Sequence, residues 1–121
     1  MRVVLGEVFK RHFKNFPKSD RQIIFEFIAY VEEHGFDGLT GRNKSSADVP
    51  FDNPNWLAHV KHAQDNKLWH YHIGIPSYEL SAIGDYTSEY ILHYIREDEF
   101  IVLVDMSAHP PFELPVNLAY R

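Results

Sequence analysis

His70 and His72 lie two residues apart in Leu68-Trp69-His70-Tyr71-His72-Ile73-Gly74-Ile75, a run that alternates with the period of a β-strand. Successive side chains of a strand point to opposite faces. Trp69, Tyr71, Ile73 and Ile75 are therefore expected in a core, with His70 and His72 projecting together on the other, polar face, about 7 Å apart. Imidazole is the side chain best suited to proton transfer near neutral pH, and two on one face can serve one small substrate group. A strand whose polar face is merely solvated has the same pattern, so function has to come from what surrounds the pair.

Eight histidines in 121 residues supply those surroundings, with His59, His62, His70, His72, His93 and His109 all in the stretch expected to form the sheet. Two chemistries are open to them. In the first, His70, His72 and His93 provide three nitrogens to a zinc ion, although no helical His-Glu-x-x-His pattern accompanies them. In the second, which needs no metal or cofactor, histidines supply what ribonuclease chemistry requires: a base for the 2′-hydroxyl, an acid for the leaving oxygen and a donor for the phosphate. Tyr71, Tyr78, Tyr90 and Tyr94 are available to stack on bases, although an aromatic residue on a strand more often packs in a core.

The elements that must position these groups follow from the periodicity. Met1 to Leu5 reads as a short strand, and Gly6 to Phe16 as a helix with Phe9, Phe13 and Phe16 on one stripe and Lys10, Arg11 and Lys14 exposed. Pro17 interrupts it. Ser19 and Gln22 have capping-box spacing, and Ile24, Phe27, Ile28 and Val31 carry a second helix to Gly35. Residues 37 to 54 read as a long loop containing the basic cluster Gly41-Arg42-Asn43-Lys44. Asn55 to Gln64 is expected to be extended and to turn through Asp65-Asn66-Lys67 into the strand 68 to 75, making a hairpin. After an irregular connection from Pro76 to Thr87, Glu89 to Arg96 and Phe100 to Met106 read as strands joined by an acidic turn. Pro110, Pro111 and Pro115 argue against regular pairing in the tail.

Strand, helix, helix and then further strands predict one α+β domain over residues 1–121, with two helices packed on one side of a mainly antiparallel sheet of about four to five strands. The length suits one domain, and no run approaches the roughly 20 apolar residues of a membrane helix. The N-terminal residues lack the pattern of a secretory signal, and there is no cysteine; the expected location is the cytoplasm. Net charge is −5, but residues 1–21 carry six cations against two carboxylates. A local basic patch on an acidic body touches phosphates without binding polyanions indiscriminately.

Taken in order, His70-Tyr71-His72-Ile73-Gly74, Glu89-Tyr90-Ile91-Leu92-His93-Tyr94, Phe100-Ile101-Val102-Leu103-Val104 and Ser107-Ala108-His109-Pro110 resemble the YafO-like branch of the RelE/ParE superfamily, toxins of bacterial toxin-antitoxin systems. Met1-Arg2-Val3, Phe27-Ile28-Ala29-Tyr30 and Gly41-Arg42 agree, so the resemblance spans most of the chain. It implies a RelE-like mRNA interferase, an endoribonuclease that inhibits translation by cutting messenger RNA on the ribosome and is neutralised by a cognate antitoxin. It further implies His72 and His109 as catalytic residues, His70 as an assistant or phosphate ligand, and His93 as a weaker candidate. Lys10, Arg11, Lys14, Arg42, Lys44, Lys61 and Lys67 would contact RNA or ribosomal phosphates. ParE-type relatives instead inhibit DNA gyrase by binding, and would not need a histidine-lined cleft. The helix stripe and the apolar last strand are the expected antitoxin docking surfaces.

Overall fold

A computed structural model describes residues 1–50, 54–109, 112–116 and 118. Strand β1 (Arg2–Leu5) leads through Gly6 into helix α1 (Glu7–Phe13), and Pro17 caps helix α2 (Lys18–His34). Because α2 begins at Lys18, Ser19 lies inside the first turn and makes no cap bond to the backbone. Gly35 ends α2 at φ 68°, a conformation glycine adopts without a Cβ penalty, and its N–H donates to the Val31 carbonyl.

The chain then forms β2 (Asn43–Ser45), α3 (Trp56–Asp65), β3 (Leu68–His72), β4 (Glu79–Leu80), β5 (Tyr86–Thr87), β6 (Tyr90–Arg96) and β7 (Phe100–Ala108). Five strands make one sheet in the order β1-β7-β6-β3-β2; β4 and β5 pair separately. Only β1 runs parallel to its neighbour, with Val3 opposite Ile101 and Leu5 opposite Leu103, so the main sheet is otherwise antiparallel. The described residues thus form an α+β architecture with three helices.

Both faces of this sheet are covered. Phe9 of α1 and Ile24, Phe27 and Val31 of α2 pack on Tyr71, Leu92, Tyr94, Ile101 and Leu103. On the opposite face Ala63 of α3 packs with Leu68, Ile95, Val102 and Val104, and Leu114 and Leu118 of the tail lie against them. The expected extended segment at Asn55–Gln64 is therefore corrected to a helix, and the hairpin to a helix-to-strand turn. Trp56, Ala58 and Val60 do alternate, but Trp56, His59, Val60 and Ala63 also follow the i, i+3, i+4, i+7 spacing of a helix face, and the uncovered sheet face gives that stripe somewhere to pack. The expectation that helices occupy one side only fails for the same reason.

The loop expected over 37 to 54 contributes the edge strand β2, and its residues 51 to 53 lie outside the described residues, as do Pro110 and Pro111. The apolar last strand lies inside the sheet, between β1 and β6, with Ile101 through Val104 buried. That apolar stretch is covered on both faces, while Asp105 to Ala108 beyond it are half-exposed. Phe13 of α1, Phe16 of the connection and the exposed Phe25 of α2 remain as an apolar cluster, with Phe13 and Phe25 edge-on at 5.2 Å.

Candidate active site

β3 turns Tyr71 into the α1/α2 core and His70 and His72 to the other face, as the alternation requires. That second face is not solvated. His70 and His72 are each only 3% exposed, and His93, paired with His70 across β6, is fully buried. An irregularity in the β6–β7 ladder after His93 changes the facing of β7. Val102 and Val104 precede it on this face; beyond it Met106 belongs to the opposite core, and Ser107 meets His93, with Oγ 2.8 Å from Nε2. A bulge of this kind re-aims side chains beyond it. The His109 N–H donates to the Glu89 carbonyl, extending the ladder one step and bringing the His109 ring to 5.9 Å from His72.

His72 Nδ1 lies 3.0 Å from both the N–H and the carbonyl oxygen of Ser88. The N–H donates to the ring when Nδ1 is bare, and the ring donates to the carbonyl when Nδ1 carries a proton. Either protonation state keeps a partner, and Nε2 is left for a ligand. Ser88 is itself fixed: Gly74 N–H donates to its Oγ, which donates to the Tyr90 carbonyl.

Arg42 approaches from the stretch before β2. Its backbone N–H donates to Tyr86 and its carbonyl accepts from His72 N–H. Its guanidinium makes a two-pronged pair with Asp85, Nε to Oδ2 at 2.6 Å and Nη2 to Oδ1 at 2.8 Å. Asp85 also accepts from Ser81 Oγ. The Arg42 and Ser81 hydrogen bonds hold the Asp85 carboxyl well below the usual carboxylate range. Arg42, His72, Thr87, Ser88, Glu79, Glu89 and His109 line an open cavity of about 370 Å³.

Gly41 makes this approach possible. A Cβ there would lie 1.8 Å from the His72 carbonyl oxygen, a backbone atom that cannot swing away. Gly41→Ala is expected to destabilise the fold by about 1–3 kcal/mol or more and to move Arg42 off the cavity. Urea denaturation of the variant beside the wild type checks the first effect; equal midpoints would show that β2 and β3 part without cost.

Burial lowers the pKa of His72, against the opposing pull of the Ser88 carbonyl, and lowers that of His109, helped by the nearby Lys44 and Arg42 charges. Both rings are thus held neutral near pH 7, the form that accepts a proton. Burial drives His70 to about 3, helped by the charges of His93, His72 and Lys44, and His93 to about 4, helped by His109. His70, expected as a phosphate ligand, is a buried neutral ring with Nδ1 3.0 Å from Ser46 Oγ. A neutral ring brings no cation to a phosphate.

The other expected contacts divide by place. Lys44 stands opposite His70 in the β2–β3 register, near the site, and pairs loosely with Asp48 at 3.6 Å. Lys61 pairs with Asp65 on α3, and Lys67 with Glu97. Lys10 and Arg11 lie on α1 and Lys14 caps its C-terminal end; α1 packs on the other face of the sheet, so the fold does not bring them to the histidines. Among the described residues no three His, Asp or Glu side chains are grouped to hold one metal ion, and the three rings proposed for zinc have Phe112 packed against His70 and His93.

Asp85, Ser88, Glu79 and Glu89 entered the site unannounced by the sequence. Asp85 is 43 residues from Arg42, and Ser88 is 16 from His72. No local spacing encodes such pairs. Comparison with protein-family models, curated proteins and solved structures finds no match to this chain.

Proposed function

We propose that this chain is a metal-independent endoribonuclease of RelE-like type, a toxin that cuts messenger RNA on the ribosome and is neutralised by an antitoxin. The observation that carries the proposal is the meeting of His72, His109 and Arg42 on one cavity from three separated stretches of chain. These are the groups that 2′-hydroxyl attack on a phosphodiester needs.

In the proposed reaction neutral His72, its Nδ1–H donating to the Ser88 carbonyl, takes the proton from the 2′-hydroxyl through the bare Nε2. The 2′-oxygen forms a bond to phosphorus as the bond to the 5′-oxygen breaks, and protonated His109 delivers its proton to that leaving oxygen. The products are a 2′,3′-cyclic phosphate and a 5′-hydroxyl end. Arg42 keeps N–H groups beyond those given to Asp85 and directs them at the non-bridging oxygens. The negative phosphate, once seated, favours the protonated form of His109 that the empty site disfavours.

Glu79 and Glu89 on the cavity rim and the net charge of −5 repel free RNA. A ribosome that holds the message in place removes that obstacle, because the toxin then need not supply most of the binding free energy. With the apolar stretch Ile101 through Val104 of β7 buried, the Phe13, Phe16 and Phe25 cluster is the proposed antitoxin surface. No helix among the described residues is long and apolar enough to cross a membrane.

Primer-extension mapping of a defined messenger RNA in a purified translation system tests the assignment. Cuts are expected when ribosomes are assembled on the message and not on the naked RNA. Cuts on both would mean a free ribonuclease, and no cuts in either would overturn the nuclease assignment in favour of an inhibitor that acts by binding.

A further inference from the structure

Phe112, in the segment after β7, is surrounded by imidazoles. Its ring centroid lies 4.8 Å from His70, 5.3 Å from His59, 5.3 Å from His109 and 6.1 Å from His93, with the His93 plane only 20° from parallel. The platform beneath it is rigidly built. Ser46 Oγ holds His70 Nδ1, the Ser46 carbonyl holds His59 Nε2, and Ser107 Oγ holds His93 Nε2. His109 meets the phenyl ring at 72°, and its Nδ1, like Nδ1 of His93, is buried with no hydrogen-bond partner among the described residues.

Buried polar atoms are nearly always paired, and one lying beside a hydrocarbon ring needs an explanation. One imidazole lying nearly parallel to the ring, His93, with a hydrogen-bonding nitrogen of a second, His109, beside it, is what a flat heterocycle with polar edges recognises, and a phenyl ring meets only the flat part of it. His109 belongs at once to this platform and to the cavity of His72 and Arg42.

We infer that Phe112 occupies a nucleobase subsite, and that a base of the RNA substrate displaces it, stacks on His93 and pairs its edge with His109 Nδ1. The inference rests on the ribonuclease assignment and adds to it the place where one base is held. A nucleotide seated this way brings its sugar and phosphate from the platform toward His72 and Arg42. The Phe112 ring covers the subsite until a base competes for it.

Titration of the full chain with adenosine 3′-monophosphate and uridine 3′-monophosphate, followed by nitrogen-15 signals of the histidine rings, tests this. Phe112→Ala is expected to bind at least one of the two nucleotides tenfold or more tightly than wild type, with the His109 Nδ1 signal moving and ribose 5-phosphate showing no such gain. Phe112→Leu, which keeps an apolar cover without a stacking ring, is expected to gain less in the same direction and serves if the alanine variant does not fold. Equal nucleotide affinity in wild type and variant, a gain shared by ribose 5-phosphate, or failure of both variants to fold overturns the subsite. Ribosome-dependent cuts by wild type with no such gain would leave the nuclease assignment standing alone; the gain without any cuts would leave a nucleotide site and remove the nuclease.

Discussion

His72→Ala and His109→Ala are each expected to slow cleavage of ribosome-bound message by about 10²–10⁴-fold, the usual contribution of a positioned acid or base and about 3–5 kcal/mol of barrier. His72 is buried and held by Ser88 on both sides of its proton, so its loss removes a base whose ring orientation was fixed in advance. His109 is less enclosed and its Nδ1 has no described partner, so His109→Ala should cost less stability than His72→Ala. The double variant is expected to be scarcely slower than the worse single one, since the two act on one transition state. Single-turnover rates, with circular dichroism on each variant, check this. Wild-type rates in both folded single variants would remove His72 and His109 from the chemistry.

Acid should unfold this protein early. His70 and His93 are held at about 3 and about 4, chiefly by burial, while an imidazole in the unfolded chain titrates near 6.5. For a folded pKa depressed in this way, the imidazole is neutral in both states above about pH 6.5 and the fold is unpenalised. As the pH falls below that value the unfolded chain takes up protons that the fold refuses, and stability drops. By pH 5 each ring withdraws about 2 kcal/mol, and by pH 4 about 3 kcal/mol. Two such losses are comparable with the whole stability of an ordinary domain, about 5–15 kcal/mol. Asp105, whose pKa is raised by burial, acts in the opposite direction, and the Asp85 contribution is lost only as the pH falls through the ordinary carboxylate range and below it. Urea midpoints should hold level from pH 7.5 to about 6.5 and fall from there to pH 5, and His93→Gln should flatten that fall. A level profile over that range would mean that the imidazole cluster opens to water at little cost.

How much of this was legible beforehand varies residue by residue. The alternation in Leu68–Ile75 is local, because a strand's two-residue period is written directly in consecutive side chains. It placed Tyr71, Ile73 and Ile75 in the core and His70 and His72 together on the other face. It did not reveal that the histidine face is also covered, because the cover comes from α3 and from a tail whose prolines read only as irregular chain. Trp56–Asp65 carried two competing periods, and packing on the sheet chose the helical one.

The sequence by itself determined the strands β3, β6 and β7, the two N-terminal helices, the supply of histidines and the glycine beside Arg42. Each depends on neighbours within a few residues, where covalent geometry converts spacing into direction. Only the tertiary structure decided which histidines share a cavity, which are buried and neutral, and which cations lie on the far side of the sheet. Those outcomes depend on the bulge after His93, on Asp85 reaching Arg42 and on Phe112 lying against the imidazoles. They are contacts between residues far apart in the chain, and a pKa or an encounter distance exists only once the intervening chain has folded and expelled its water.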